Sequence, residues 1–184
     1  MRWDALFNDL EAQLAQQARL ELEAEVSERV RSERAGVALG ERLLAHVGRS
    51  LTLRLRGDVQ VSGRCADVAP QWVVLDDGRA SVLVPTGAVV AVHGLVGQVA
   101  PEPGTVLRRL GLGHALRALA RDRAGVAVWT DAGVLTGTID RVGADHLDLA
   151  EHPPGELRRA ATVSGVAAVA FDALVAVHSA PRSG

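Results

Sequence analysis

The sequence predicts an α+β fold that is mainly β, with a long N-terminal helix followed by two tandem five-stranded small β-barrels and a connecting helix between them. Three observations carry this. Residues 1–46 repeat their apolar side chains every three or four positions, the period of one helix face. From Val47 the period drops to two, the mark of half-buried strands. Two separate stretches of the β part then share one pattern of Gly, Val and Leu.

Residues 4–46 hold no Pro and are rich in Ala, Leu, Glu, Gln and Arg, all strong helix formers. Trp3, Phe7, Leu10, Leu14, Ala18, Leu22, Val26 and Val30 form a stripe. A continuous helix would be about 65 Å long at 1.5 Å per residue. The steps are mostly four after Leu14, so no strict heptad is sustained. Gly36 and Gly40 are places to bend or end it. Such a stripe needs the barrels or another chain to cover it, so a protein partner or self-association through this helix is expected.

The first barrel is read over 47–100. Leu51, Leu53 and Leu55 alternate with Thr52 and Arg54, and Arg56-Gly57-Asp58 turns the chain into a strand carrying Val59 and Val61. Trp72–Leu75, Ser81–Val84 and Val89–His93 complete the five strands. Pro101 and Pro103 interrupt the pattern, and 101–122 reads as a basic helical connector broken by Gly111 and Gly113. The second barrel follows over 123–180.

Gly63–Leu75 matches Gly137–Leu149, with Gly, Val and Leu at the same offsets. Ala88-Val-Val-Ala-Val-His93 matches Ala173-Leu-Val-Ala-Val-His178. The second copy carries eleven extra residues between Ala150 and Val166. One module used twice is the simplest account.

The pattern of Leu135–Leu149, with Gly137, Val142-Gly143, Asp145, Leu147 and Leu149, resembles the first motif of Sm-like proteins. That resemblance covers about fifty residues per copy and implies a strongly bent five-stranded barrel, close to SH3-like barrels. A mid-strand Gly63 or Gly137 suits such a bend, because a missing side chain allows it. RNA-binding members carry an Arg-Gly pair near the fourth and fifth strands. Here Val84-Pro-Thr-Gly87 and Ala170-Phe-Asp-Ala173 stand instead, so the resemblance implies the fold and not the RNA contact. The whole chain also resembles an uncharacterised family of high-GC, actinobacterial-type proteins, which implies no activity.

Composition excludes some functions. The net charge is −2, there is no Lys or Tyr, and every basic residue other than His is Arg, a bias that fits GC-rich codon usage. A strongly basic nucleic-acid binder is therefore not indicated. The lone Cys65 forms no internal disulfide and reads as a small buried residue. Met1–Phe7 has no apolar leader region, and no run of about eighteen apolar residues occurs. The expectation is a cytoplasmic protein that does not enter membranes.

No catalytic, cofactor or metal constellation is readable, so a non-enzymatic interaction, scaffold or regulatory protein is expected. The six His residues show no metal-ligand spacing. His93 and His178, at matching strand ends, read as tolerated edge rings. Asp140, Asp145, Asp148 and Glu151 read as a solvated face. Gly111-Leu-Gly113 is too short a pattern for a phosphate loop.

Two candidate surfaces remain. Alternation turns Trp72, Val74 and Trp129 outward, where the helix, the other barrel or a partner must cover them. Arg108, Arg109, Arg117, Arg121 and Arg123, with Arg158 and Arg159 from the inserted segment, are the candidate phosphate contacts of an RNA- or DNA-binding alternative. Their bland counterpart is a helix face pairing with residues 1–46, whose net charge is −3.

Overall fold

A computed structural model describes residues 37–97, 111–156 and 158–179, together with the isolated positions Gln16, Arg19 and Leu22. Contacts divide the chain into Met1–Ala38 and Leu39–Gly184. Of the first unit, Gln16, Arg19 and Leu22 have helical backbone. The rest of the apolar stripe expected there lies outside the described residues.

The second unit begins with α1 (Leu39–Leu44) and then runs β1 (Ser50–Leu55), β2 (Gln60–Ala69), β3 (Trp72–Asp76), β4 (Ser81–Pro85) and β5 (Val89–His93). Then α2 (Leu112–Arg121) leads into β6 (Gly125–Thr130), β7 (Gly133–Val142), β8 (His146–Glu151), β9 (Gly165–Ala170) and β10 (Leu174–Ser179). A single 3-10 turn precedes β5 (Thr86–Ala88) and another precedes β10 (Phe171–Ala173).

The expected fold class needs correcting here. The strands do not form two barrels side by side. They form one open ten-stranded antiparallel sheet in the order β5-β1-β2-β3-β4-β10-β6-β7-β8-β9. The decisive pairing is β4 with β10, where Leu83 stands opposite Val177 and Val82 opposite His178. Nor do the described residues contain a long N-terminal helix; α1 has six residues. Alternation shows which side chains share a face, but it is blind to which strand lies beside an edge. The clue was a failure of alternation. Val82-Leu-Val84 and Leu174-Val-Ala-Val177 are apolar at every position and buried throughout, as strands covered on both faces must be.

Within this sheet the strand order 5-1-2-3-4 occurs twice, once on each side of the β4–β10 seam. In each half the second strand is ten residues long and irregular in register, at Cys65/Asp67 in β2 and at Ile139/Arg141 in β7. Gly63 and Gly137 sit on those strands. A Cβ on Gly63 would lie 2.7 Å from Asp76 O, and one on Gly137 would strike Ala150 O. Only a missing side chain lets the neighbouring strand close in.

Two apolar cores flank the seam on opposite faces, and each borrows from the other half. Leu51, Leu53, Leu55, Cys65, Val73, Leu75, Val82 and Val84 form the first core, joined by Val175 and Ala176 of β10. Leu112, Leu116, Val126, Val128, Ile139, Leu147 and Leu149 form the second, joined by Ala69, Trp72 and Leu83. Successive residues of a strand point to opposite faces, so β4 feeds both cores. β10 also feeds both, and the bulge between Leu174 and Ala176 turns Val175 and Ala176 alike to the first.

Two buried histidines are structural. His46 Nε2 accepts from Val96 N–H at 3.0 Å while Nδ1 donates to Arg42 O at 2.6 Å, tying α1 to the chain beyond β5. His152 Nδ1 donates to Pro153 O at 3.0 Å, which leaves Nε2 to accept from Thr138 Oγ1 at 2.8 Å.

Candidate functional site

The tryptophans flank the seam, Trp72 on β3 beside β4 and Trp129 on β6 beside β10. Trp72 faces away from the first core, as alternation requires, and is 5 % exposed because the second core closes over it. Val74 is half-buried against the same cluster. Trp129 is half-buried against the first core and stacks on His178, ring centres 5.2 Å apart. Burial holds the His178 imidazole below the usual histidine range, and among the described residues its Nε2 has no hydrogen-bond partner. A neutral ring against an indole is the stable arrangement there. The apolar side chains turned outward thus meet the other half of the same sheet.

The ends of the seam are fastened by polar groups. Arg56, in the turn after β1, donates from Nη2 to Asp172 O at 2.8 Å and to Leu174 O at 3.3 Å, and its Nη1 lies 3.4 Å from Asp131 Oδ2. At the other end Ser81 N–H donates to Ser179 Oγ at 3.2 Å, and that hydroxyl donates to Ser81 O at 3.0 Å. Gln71 Oε1 accepts from Leu112 N–H at 2.9 Å, so a side chain of the first half caps the helix of the second. That cap occupies the helix start where Gly111-Leu-Gly113 stood as a faint phosphate pattern.

No protein-family model matches this chain, and no curated protein does. Its function therefore rests on its own geometry.

The arginines divide. Arg117 and Arg121, on the exposed face of α2, line a groove of about 490 Å³ with His114, Asp140, Arg141 and Val142. Arg117 also donates to Gly143 O at 3.3 Å. Arg158 grips Asp140, the one carboxylate among the groove's described lining residues, with Nε to Asp140 Oδ1 and Nη2 to Asp140 Oδ2 both at 2.6 Å. Arg123 lies in the left-handed region (φ 47) after α2, and it and Arg159 are exposed but do not line the groove. Arg108 and Arg109 lie outside the described residues. Arg141 was not singled out in the sequence, because only the fold sets β7 beside α2.

The acidic cluster does not converge. Asp145 is in the turn before β8 and accepts from His146 Nδ1 at 2.8 Å, which holds its carboxyl below the usual range. Among the described residues no three His, Cys, Asp or Glu side chains gather as metal ligands. Burial pushes the Cys65 thiol up to about 11, so it stays neutral and unreactive. No helix among the described residues is long and apolar enough to cross a membrane.

The sheet edges are the surfaces that sequence reasoning missed. β5 and β9 end the sheet, and no described strand pairs with their outer sides. Val90 on β5 is 67 % exposed and Val166 on β9 is 63 % exposed. The signal was present in Val89-Val-Ala-Val92 and Val166-Ala-Ala-Val169, which are apolar at every position like the central strands.

Proposed function

We propose that this chain is a non-enzymatic interaction or scaffold protein of the cytoplasm whose working surfaces are the two open edges of its sheet. One observation carries the reading. β5 and β9 have the composition of strands covered on both faces, yet they stand at the edges with Val90 and Val166 exposed. Natural edge strands are ordinarily blunted by charge, Pro or bulges. β9 has none of these, and β5 has only a bulge at Val90, which β10 repeats at Val175 inside the seam. Such an apolar edge is a template for strand addition. Kinship with Sm-like barrels, the internal duplication and membership of the actinobacterial-type family belong to the same proposal. The recurring strand order and the crowded glycines Gly63 and Gly137 support the first two.

A photo-crosslinker placed through Val90→Cys or Val166→Cys tests this reading, with Arg79→Cys as the exposed control. Cys65 is buried, so labelling is confined to the new thiol. Incubated with an extract of the source cells, the edge variants should give protein adducts and the control none. Equal adducts at all three positions, or none, would overturn the reading.

A second reading, an RNA- or DNA-binding regulator, is favoured by the groove where Arg117, Arg121 and Arg141 meet while Arg158 neutralises Asp140. Phosphate contacts must weaken steeply with salt. A gel shift of mixed RNA or DNA pools that vanishes with added salt and with Arg117→Ala plus Arg121→Ala would support it. No shift at low salt would sink it.

A further inference from the structure

The seam inside the chain is a template for contact between chains. It joins the fourth strand of the first half, β4, to the fifth strand of the second, β10. What remains at the edges is the complement, namely the fifth strand of the first half (β5) and the fourth strand of the second (β9). We infer that β9 of one copy pairs antiparallel with β5 of the next, head to tail, in the register of the internal seam. This rests on the reading of the edges as working surfaces and names their occupant, a second copy of this chain.

The register can be transferred residue by residue. The 3-10 turns Thr86–Ala88 and Phe171–Ala173 fix the correspondence, since each is followed at once by the fifth strand. Val89 then corresponds to Leu174, Val92 to Val177 and His93 to His178. Counting back, Leu83 corresponds to Ala168 and Val82 to Ala167. The seam pairs Val177 with Leu83 and His178 with Val82. Between copies, Val92 would stand opposite Ala168 and His93 opposite Ala167.

Burial points the same way. Val175 is fully buried by the seam, while Val90, its counterpart on β5, is 67 % exposed. Ser81 is half-buried and fastened to Ser179, while Val166, its counterpart on β9, is 63 % exposed. Neither Val89–Val92 nor Gly165–Ala170 contains a charge or a Pro, two usual protections of an edge. The bulge at Val90 has its counterpart at Val175, where it does not prevent pairing. The contact between copies is weaker than the seam. Trp72, Val74 and Leu83 have His146, Asp148 and Ala168 as counterparts, and Gly94 replaces the clamping Ser179. The assembly is therefore reversible and concentration-dependent. Being heterologous, it gives a closed ring or an open row.

Sedimentation velocity on the full chain, Val90→Lys, Val166→Lys and their mixture decides the matter. Both valines are exposed, so each lysine should leave the thermal transition unchanged. The unsubstituted chain should form larger species as concentration rises, and each variant alone should stay monomeric. The equimolar mixture should form a one-to-one dimer and nothing larger, because it restores one intact β9 and one intact β5. A wild-type chain that stays monomeric at every concentration overturns the inference. So does a variant that dimerises alone, the mark of a symmetric β5–β5 or β9–β9 contact, or association that neither lysine changes. Monomeric wild type beside edge-specific adducts to another protein would refute self-assembly and leave the edge reading standing.

Discussion

The seam and the edges are built from corresponding strands and differ in what covers them. At the seam, β10 buries Val175, Ala176 and Val177 almost completely, and Trp129 stacks on His178. At the edge, β5 repeats the apolar run but exposes Val90 and His93, and Arg54 stands in the register position that Trp129 takes. Composition alone does not make a strand central. A neighbour with complementary side chains does, and the large groups Trp72, Trp129 and Leu83 are placed where that neighbour is permanent.

Substitutions along the seam should sharpen this contrast. The largest effect is expected from Trp72→Ala, which opens a cavity in the second core and should cost about 3–5 kcal/mol in urea unfolding. A loss under about 1 kcal/mol would show that the second half does not cover the indole. Arg56→Ala removes charged donors to two carbonyls at the seam's end and should cost about 1–2 kcal/mol, moderated by the side chain's partial exposure.

His178 gives a smaller, pH-dependent effect. Burial lowers its folded pKa below the ordinary 6.5, so above that value both folded and unfolded forms are neutral and nothing is lost. As the pH falls below 6.5 the unfolded chain takes up the proton first, and stability declines until the folded pKa is reached. Thermal midpoints measured from pH 7.5 to 5 should fall for the parent chain and fall less for His178→Phe. Parallel curves would contradict the buried neutral ring. The smallest effect is expected from Val90→Thr in dilute solution, within about 0.5 kcal/mol of the parent, as for an exposed site. A larger loss would mean that the β5 edge is already covered within a single chain.

Much of the strand content was legible. Leu51, Leu53 and Leu55 all point into the first core as their alternation requires, and Val89–His93 is a strand over those residues. The inward Leu147 and Leu149, the buried Cys65 and the mid-strand positions of Gly63 and Gly137 could also be read, because each depends on local spacing. The close approach of Asp76 O and Ala150 O to those glycines depends instead on the neighbouring strand. The pairing of β4 with β10 could not, since it joins residues as far apart as Val82 and His178 through backbone groups that every residue shares. The covering of Trp72 was hidden for the same reason. The groove was half visible, with Arg117 and Arg121 on one helix face and Arg141 brought in only by the fold.

The long span of the seam has a consequence during synthesis. β4 leaves the ribosome many residues before β10 exists, so the nascent first half presents Trp72, Leu83 and an unpaired strand edge to the solvent. Contacts that far apart in sequence form slowly, and apolar edges exposed meanwhile attract other chains. The first half emerges with both its β4 and β5 edges open. Until its own last strand arrives, the open β5 edge of an already finished neighbour, the counterpart of β10, can take that place, and the register that completes one molecule also permits two to be misjoined.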